Sequence, residues 1–316
     1  MRLLKFLFAL IIFCTVLLTG CGVNDKINKE NDKNINALVS DSSSPSKEKK
    51  SPWEIAFKST FDKSTFTLAG FVDNSTGIVM GHHGAIYYTK DGGKIWSKAD
   101  NEAHIILGFD YVDDKSIFSC GDQGTIRYSN DAGASWTKLP EYDPLDQDPY
   151  TSISFVNHKE GWVASSSKVG YTFDGGNTWT TLKLPESCKK IASISLRTKN
   201  VGYILDTSGN LFITSDNGAN WTQKTLNLKE DEKINGIAGA QVAAIRFADE
   251  RNGLAVFFNK NKQLRALRTA DGGDSWENET VPEIKSGYIY MTRNLQSLTI
   301  ASSLNSEITV LKYNHQ

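Results

Sequence analysis

An eight-residue element recurs five times along this chain: TKDGGKIW from Thr89, SNDAGASW from Ser129, TFDGGNTW from Thr172, TSDNGANW from Thr214 and TADGGDSW from Thr269. Each copy sets a hydroxyl residue, then an Asp, a Gly and a Trp at fixed offsets. A catalytic constellation is assembled once, from different parts of a chain. An element written five times points instead to architecture.

The element has a physical account that needs no substrate. An Asp side chain accepts hydrogen bonds from the backbone of its own turn, and a Ser or Thr hydroxyl does the same more weakly. Gly accepts a positive φ. Trp supplies large apolar burial with one N–H to satisfy. The structural set is therefore Asp91, Gly93 and Trp96; Asp131, Gly133 and Trp136; Asp174, Gly176 and Trp179; Asp216, Gly218 and Trp221; and Asp271, Gly273 and Trp276. Each set is expected to fasten a hairpin.

The motif aspartates are separated by 40, 43, 42 and 55 residues. A period near 42 suits a four-stranded propeller blade, and the last gap reads as a normal blade with about a dozen extra residues. Within each period, short apolar and β-branched runs alternate with Gly, Asn and Asp turns, as in STFTLAGFV, DNSTG, IVMG. No window carries a sustained helical period. The fold class is all-β, a propeller of four-stranded blades.

Trp53 stands in a context, SPWEIAFKS, like the one that follows a box Trp elsewhere, but its box is missing. At the other end YIYMTRN, SLTIASS and EITVLKY give three strands without a fourth. The N-terminal strand is expected to complete the last blade and close the ring. Residues 53–316 then divide into six blades. Seven is the alternative, and requires a degenerate blade hidden between Gln223 and Ala243.

The beginning of the chain reads differently. Arg2 and Lys5 precede an apolar run from Phe6 to Leu18, closed by Leu18-Thr19-Gly20-Cys21. That run is shorter than the ~20 residues of a membrane span and has the form of a secretory signal. Its end resembles the lipobox of bacterial lipoproteins, which implies a signal peptide over 1–20 and lipidation of Cys21. Residues 21–52, rich in Asn, Lys, Asp and Ser, cannot bury enough apolar surface to order themselves and read as a flexible tether. The expected location is the extracytoplasmic face of the cell membrane, and the Asn, Lys and Ile bias points to a Gram-positive bacterium.

The repeat resembles the Asp-box, or bacterial neuraminidase repeat. The wider pattern over residues 53–316 is similar to the propeller family that contains the photosystem II assembly factor. That resemblance implies a non-catalytic scaffold that docks an extracytoplasmic or membrane protein. With the signal removed, 33 basic residues face 36 acidic ones, so no strong field calls for nucleic acid. A monomer is expected, and no cofactor motif appears.

Alternating strand direction puts the 1–2 and 3–4 turns of each blade on one side of the disc and the 2–3 turns and 4–1 connections on the other. The boxes take the first side, so recognition is expected on the second. Candidate residues there are His82, His83, Asp122, Gln123, Lys168, Ser208, Lys260 and Lys262. The loop 138–150 adds Glu141, Tyr142, Asp143, Asp146, Asp148 and Tyr150, and the loop 223–236 is of mixed charge. Arg246 and Arg293 fall on predicted innermost strands near the channel and are counted with the candidate binding face. The adjacent histidines diverge and lack a third ligand. Asp143, Asp146 and Asp148 lack the spacing and central Gly of a calcium loop. No metal is expected.

Three alternatives to a protein dock remain. A sialidase resembling the known ones needs three arginines around a carboxylate, and no Arg lies between Arg2 and Arg127. Another glycoside hydrolase needs facing carboxylates about 5–9.5 Å apart, which the sequence does not mark. A glycan-binding module would use exposed aromatics such as Tyr142 and Tyr150. Cys120 and Cys188 are the folded part's cysteines, and spacing alone leaves their pairing open.

Overall fold

The computed structural model describes residues 51–60, 66–81, 84–99, 104–142, 148–235, 242–302 and 307–314. Cys21, the tether up to residue 50, His82, His83, Asp143 and Asp146 lie outside the described residues. The strands form six antiparallel four-stranded sheets. Five are contiguous, over 66–98, 106–139, 152–181, 191–225 and 243–279, and are blades 1 to 5 in that order. Blade 6 joins Tyr288–Met291, Ser297–Ser302 and Glu307–Tyr313 to the N-terminal strand Trp53–Thr60.

That N-terminal strand is the outermost of blade 6 and pairs antiparallel with the last strand, Trp53 opposite Tyr313 and Thr60 opposite Glu307. The expected closure and the count of six blades both hold. Between the flanking strands, the described residues of the stretch weighed as a seventh blade hold one short turn, Glu230–Glu232, and one bridge, Ile234 to Asn259. It accounts for the long fourth gap. The 3-10 segments described in full are single turns, Asp122–Gly124 and Glu230–Glu232.

The first strand of each blade touches the first strands of its neighbours, so these strands line the channel. Side chains alternate between the two faces of a strand, and each face of a blade meets a different neighbour. In blade 1, Leu68, Ile78 and Met80 pack toward blade 2, while Ala69, Phe71 and Val79 pack toward blade 6. Burial on both faces explains why the central strands, such as GIVMG, are apolar throughout. The described residues form six apolar clusters, one at each junction between blades.

A second repeated feature follows from packing. Phe71 ends the first strand of blade 1 opposite Gly77, and a Cβ on that glycine would lie 2.5 Å from the phenyl ring. Phe155 faces Gly161 and Phe247 faces Gly253 in the same register. The glycine clears room for the ring. Cys120 is buried at the junction of blades 2 and 3 and Cys188 packs between blades 3 and 4, both as free thiols. Burial pushes the Cys188 thiol up to about 11.

Candidate functional site

The five boxes lie where the repeat places them, between the third and fourth strands of blades 1 to 5. In the first, the Thr89 hydroxyl donates to Asp91 Oδ1 at 2.8 Å and accepts from the Gly93 amide at 2.9 Å. Asp91 Oδ1 also receives the amides of Lys94 and Ile95, each at 3.0 Å. The same hydroxyl-to-Asp bond recurs from Ser129, Thr172, Thr214 and Thr269, at 2.7–2.9 Å. In the last four boxes the residue before the Trp adds a side-chain donor to the other carboxylate oxygen: Ser135, Thr178, Asn220 and Ser275. Blade 1 has Ile95 at that position and leaves it exposed.

These bonds hold the carboxyls below the ordinary carboxylate range. The main cause is the Ile95 amide at Asp91, and the side chains of Thr178, Asn220 and Ser275 at Asp174, Asp216 and Asp271. At Asp131 burial works in the opposite direction but is outweighed by Ser135 and its companions. The Trp N–H groups are less uniform. Trp136 and Trp179 donate to the carbonyls of Gly133 and Gly176, whereas Trp221 reaches the carbonyl of Lys183 in the connection that leaves blade 3.

The residue after each box Asp ties the hairpin to the 1–2 turn of the same blade. Gly92, Ala132, Gly175, Asn217 and Gly272 donate to Ser75, Lys115, Lys159, Asn200 and Arg251 at 2.8–2.9 Å. All five have positive φ, from 55° to 77°. Boxes and 1–2 turns therefore share one side of the disc, as strand alternation requires.

On the other side, the 2–3 turns meet the connections between blades. Asp122 accepts from the Ile105 amide at 2.9 Å and its own amide donates back to Ile105, in a turn where Gln123 has φ 51°. The Ile191 amide bonds to Ser166, within the turn carrying Lys168, and the Thr207 amide, beside Ser208, bonds to Lys190. Lys260 bonds through its amide to Lys233 and through Nζ to Glu230 at 2.5 Å. The described candidates on these turns, Asp122, Gln123, Lys168, Ser208, Lys260 and Lys262, thus lie on the side away from the boxes, mostly in turns that anchor neighbouring connections.

Two expectations are corrected. Tyr150 is not an exposed aromatic: it is 0% exposed, wedged against Gly124 at the junction of blades 2 and 3. Tyr142 lies over Gly170 and donates to the Thr181 hydroxyl at 2.7 Å, so its ring packs on blade 3. An aromatic in a loop is drawn to whatever apolar face the loop crosses. The second correction concerns Arg293. Its strand stops at Met291, and a turn closed by the Thr292 amide on Ser297 carries the arginine to the box side of the channel. Arg246 does lie on an innermost strand, one residue from the same end, so neither arginine belongs to the opposite face.

Both arginines converge on Asp110, a residue the sequence reading did not single out. Arg246 Nη2 lies 2.6 Å from Asp110 Oδ1, and Arg293 Nη2 bonds to Asp110 Oδ2. Asp110 is fully buried and also accepts the Phe155 amide at 2.9 Å. Arg246 Nη1 reaches Ser154, and Arg293 spans to the carbonyls of Tyr111, Phe155 and Leu196. This network joins the inner ends of blades 2 to 6. The inner strands of blades 4 and 5 turn an open edge toward the channel that neighbouring side chains satisfy: Ser152 and Ser154 accept the amides of Ile194 and Leu196, and Ser193 accepts that of Ile245. The signal available in the sequence was an Asp within the otherwise apolar run ILGFDY. Among the described residues, no three His, Cys, Asp or Glu side chains converge as a metal site.

The comparisons agree with this geometry. Residues 143–237 match the family model described as Photosynthesis system II assembly factor YCF48. The solved structure of YCF48 bound to D1 peptide shares 14% identity, covers 85% of this chain and 98% of that one, and superposes with a TM-score of 0.52. An ancestral GH74 enzyme gives 13% identity and a TM-score of 0.53 over 75% of this chain and 34% of that one. A chain of the Mitotic Checkpoint Complex gives 11% identity and 0.58 over 93% and 100%. No curated protein matches. At these identities the structures share the fold. The chain is a six-bladed Asp-box β-propeller that resembles the photosystem II assembly factor family, most directly over residues 143–237.

Proposed function

We propose that this chain is a non-catalytic scaffold that docks another protein, held by lipid on Cys21 at the extracytoplasmic face of the membrane. The observation that carries the reading is the match of residues 143–237 to the assembly-factor family. The likeness to YCF48, solved with a D1 peptide, supports a propeller of this kind holding a polypeptide. The photosynthetic role is not carried over.

The chemistry of the described residues is consistent with docking. The five box carboxylates are committed to their own hairpins. Arg246 and Arg293 are committed to Asp110, so they do not form a clamp for a substrate carboxylate. A glycan platform built on Tyr142 and Tyr150 loses its support because Tyr150 is buried.

The test is photo-crosslinking in whole cells, with the reactive residue placed at exposed positions on each side of the disc, followed by mass spectrometry. One partner protein captured from the 2–3 side supports the reading. Capture of polysaccharide alone contradicts it.

A further inference from the structure

The 2–3 turn of blade 5, residues 259–263, and the connection from blade 5 to blade 6, residues 280–287, enclose an open groove of about 710 Å³. Its size is that of a ligand site. It lies on the side away from the boxes, beside the seam where the ring closes. Leu264, Val281 and Ile284 give it an apolar floor that continues into the core between blades 5 and 6.

Two further properties mark this groove. First, the connection 281–286 lies outside helix and strand, and its backbone makes no hydrogen bond to the other described residues. Its unpaired carbonyls, and the amides of all but Pro282, are available to an incoming extended segment. Second, the lining carries Lys262, Arg265 and Lys285 against one carboxylate, Glu283. Arg265 is neutralised by Glu232 at 3.1 Å. Lys285 makes only a loose pair with Glu283 at 4.0 Å, both largely exposed. Lys262, exposed and at φ 61° in its turn, makes no ion pair among the described residues.

We propose that this groove takes an extended segment of a partner protein in which acidic and apolar side chains alternate. Successive side chains of a strand point to opposite sides, so one set reaches the apolar floor and the other meets Lys262 and Lys285. A phospholipid headgroup would satisfy the lysines but leave the backbone edge of 281–286 unused. The inference rests on the protein-docking reading and gives it a place and a partner chemistry.

The test uses the full chain and a fluorescein-labelled octapeptide of alternating Glu and Val, with a Lys/Val octapeptide as counterpart. The acidic peptide is expected to bind, and Lys262→Glu with Lys285→Glu to weaken it by about tenfold while favouring the basic one. Both lysines are exposed, so the thermal midpoint should stay unchanged. Equal binding of both peptides, or acidic-peptide affinity untouched by the double substitution, overturns the proposal. So does lysine-dependent binding of phosphatidylglycerol vesicles without peptide binding, or self-association that the double substitution abolishes. In cells, a photo-crosslinker at Asn261 separates the two levels. A partner captured elsewhere on the disc but not from Asn261 sinks the groove and leaves docking standing. No partner from any position sinks both.

Discussion

The indole Nε1 of Trp53 donates to Glu279 Oε2 at 2.9 Å, joining residues 226 positions apart. Glu279 lies on the outer strand of blade 5 and is also gripped by Arg268, at 2.7 and 3.1 Å. The Arg268 guanidinium sits 4.5 Å from the ring centre of Tyr313, the strand partner of Trp53, and the two rings meet edge to face at 5.1 Å. The seam of the ring is therefore both an apolar junction and a polar clasp.

Trp53 is 1% exposed within the junction of blades 5 and 6. Trp53→Ala is expected to cost about 3–5 kcal/mol, the range for emptying a large aromatic site. Glu279→Gln keeps an acceptor for the indole and should cost only about 1 kcal/mol. Urea unfolding monitored by circular dichroism measures both, and equal costs would contradict the seam as described.

Asp110, itself fully buried, holds two guanidinium groups, that of the buried Arg246 and that of the partly exposed Arg293. Asp110→Asn leaves those charges uncompensated, and removal of one partner from a buried pair costs about 3–5 kcal/mol. Asp110→Asn combined with Arg246→Met should cost less than the sum of the single changes. Strict additivity in that cycle would show that the pair is not coupled.

The box carboxyls of Asp91, Asp131, Asp174, Asp216 and Asp271 are all depressed in the folded chain. Their contribution is fully present above the ordinary carboxylate value and is lost as pH falls through the lowered folded value. Stability should therefore decline on the acid side of that ordinary value, 3.8. Asp271→Asn should make the decline shallower in thermal melts taken across pH. A steeper decline would reverse the assignment.

Cys21→Ala should move the protein from the membrane fraction to the soluble one. Deleting residues 22–50 should leave the thermal midpoint unchanged, whereas deleting 53–60 removes the outer strand of blade 6 and should unfold the domain. Retention of the Cys21 variant on membranes would contradict lipid anchoring.

The repeat made the blades legible because each box closes on itself within about eight residues, through bonds such as Thr89 to Asp91 and Gly93 to Thr89. Local chemistry leaves a local pattern. The orphaned context of Trp53 carried the ring closure for the same reason. The channel network left no such trace: Arg246 and Arg293 reach Asp110 across 136 and 183 positions, and contacts across a channel have no period. The burial of Tyr150 leaves no mark either, because a loop aromatic looks alike in sequence whether it faces water or a neighbouring blade. The groove at 281–286 is built from an irregular connection, where neither alternation nor turn signals mark an open backbone edge.

The claim that the boxes fasten hairpins while recognition lies elsewhere is tested most directly at Thr172. Its buried hydroxyl donates to Asp174 at 2.8 Å and accepts the Gly176 amide at 2.9 Å. Thr172→Val strands that amide and should cost about 1–3 kcal/mol. With unfolding and whole-cell crosslinking measured on the same variant, a lowered midpoint with partner capture intact is the expected result. An unchanged midpoint with capture lost would contradict the account.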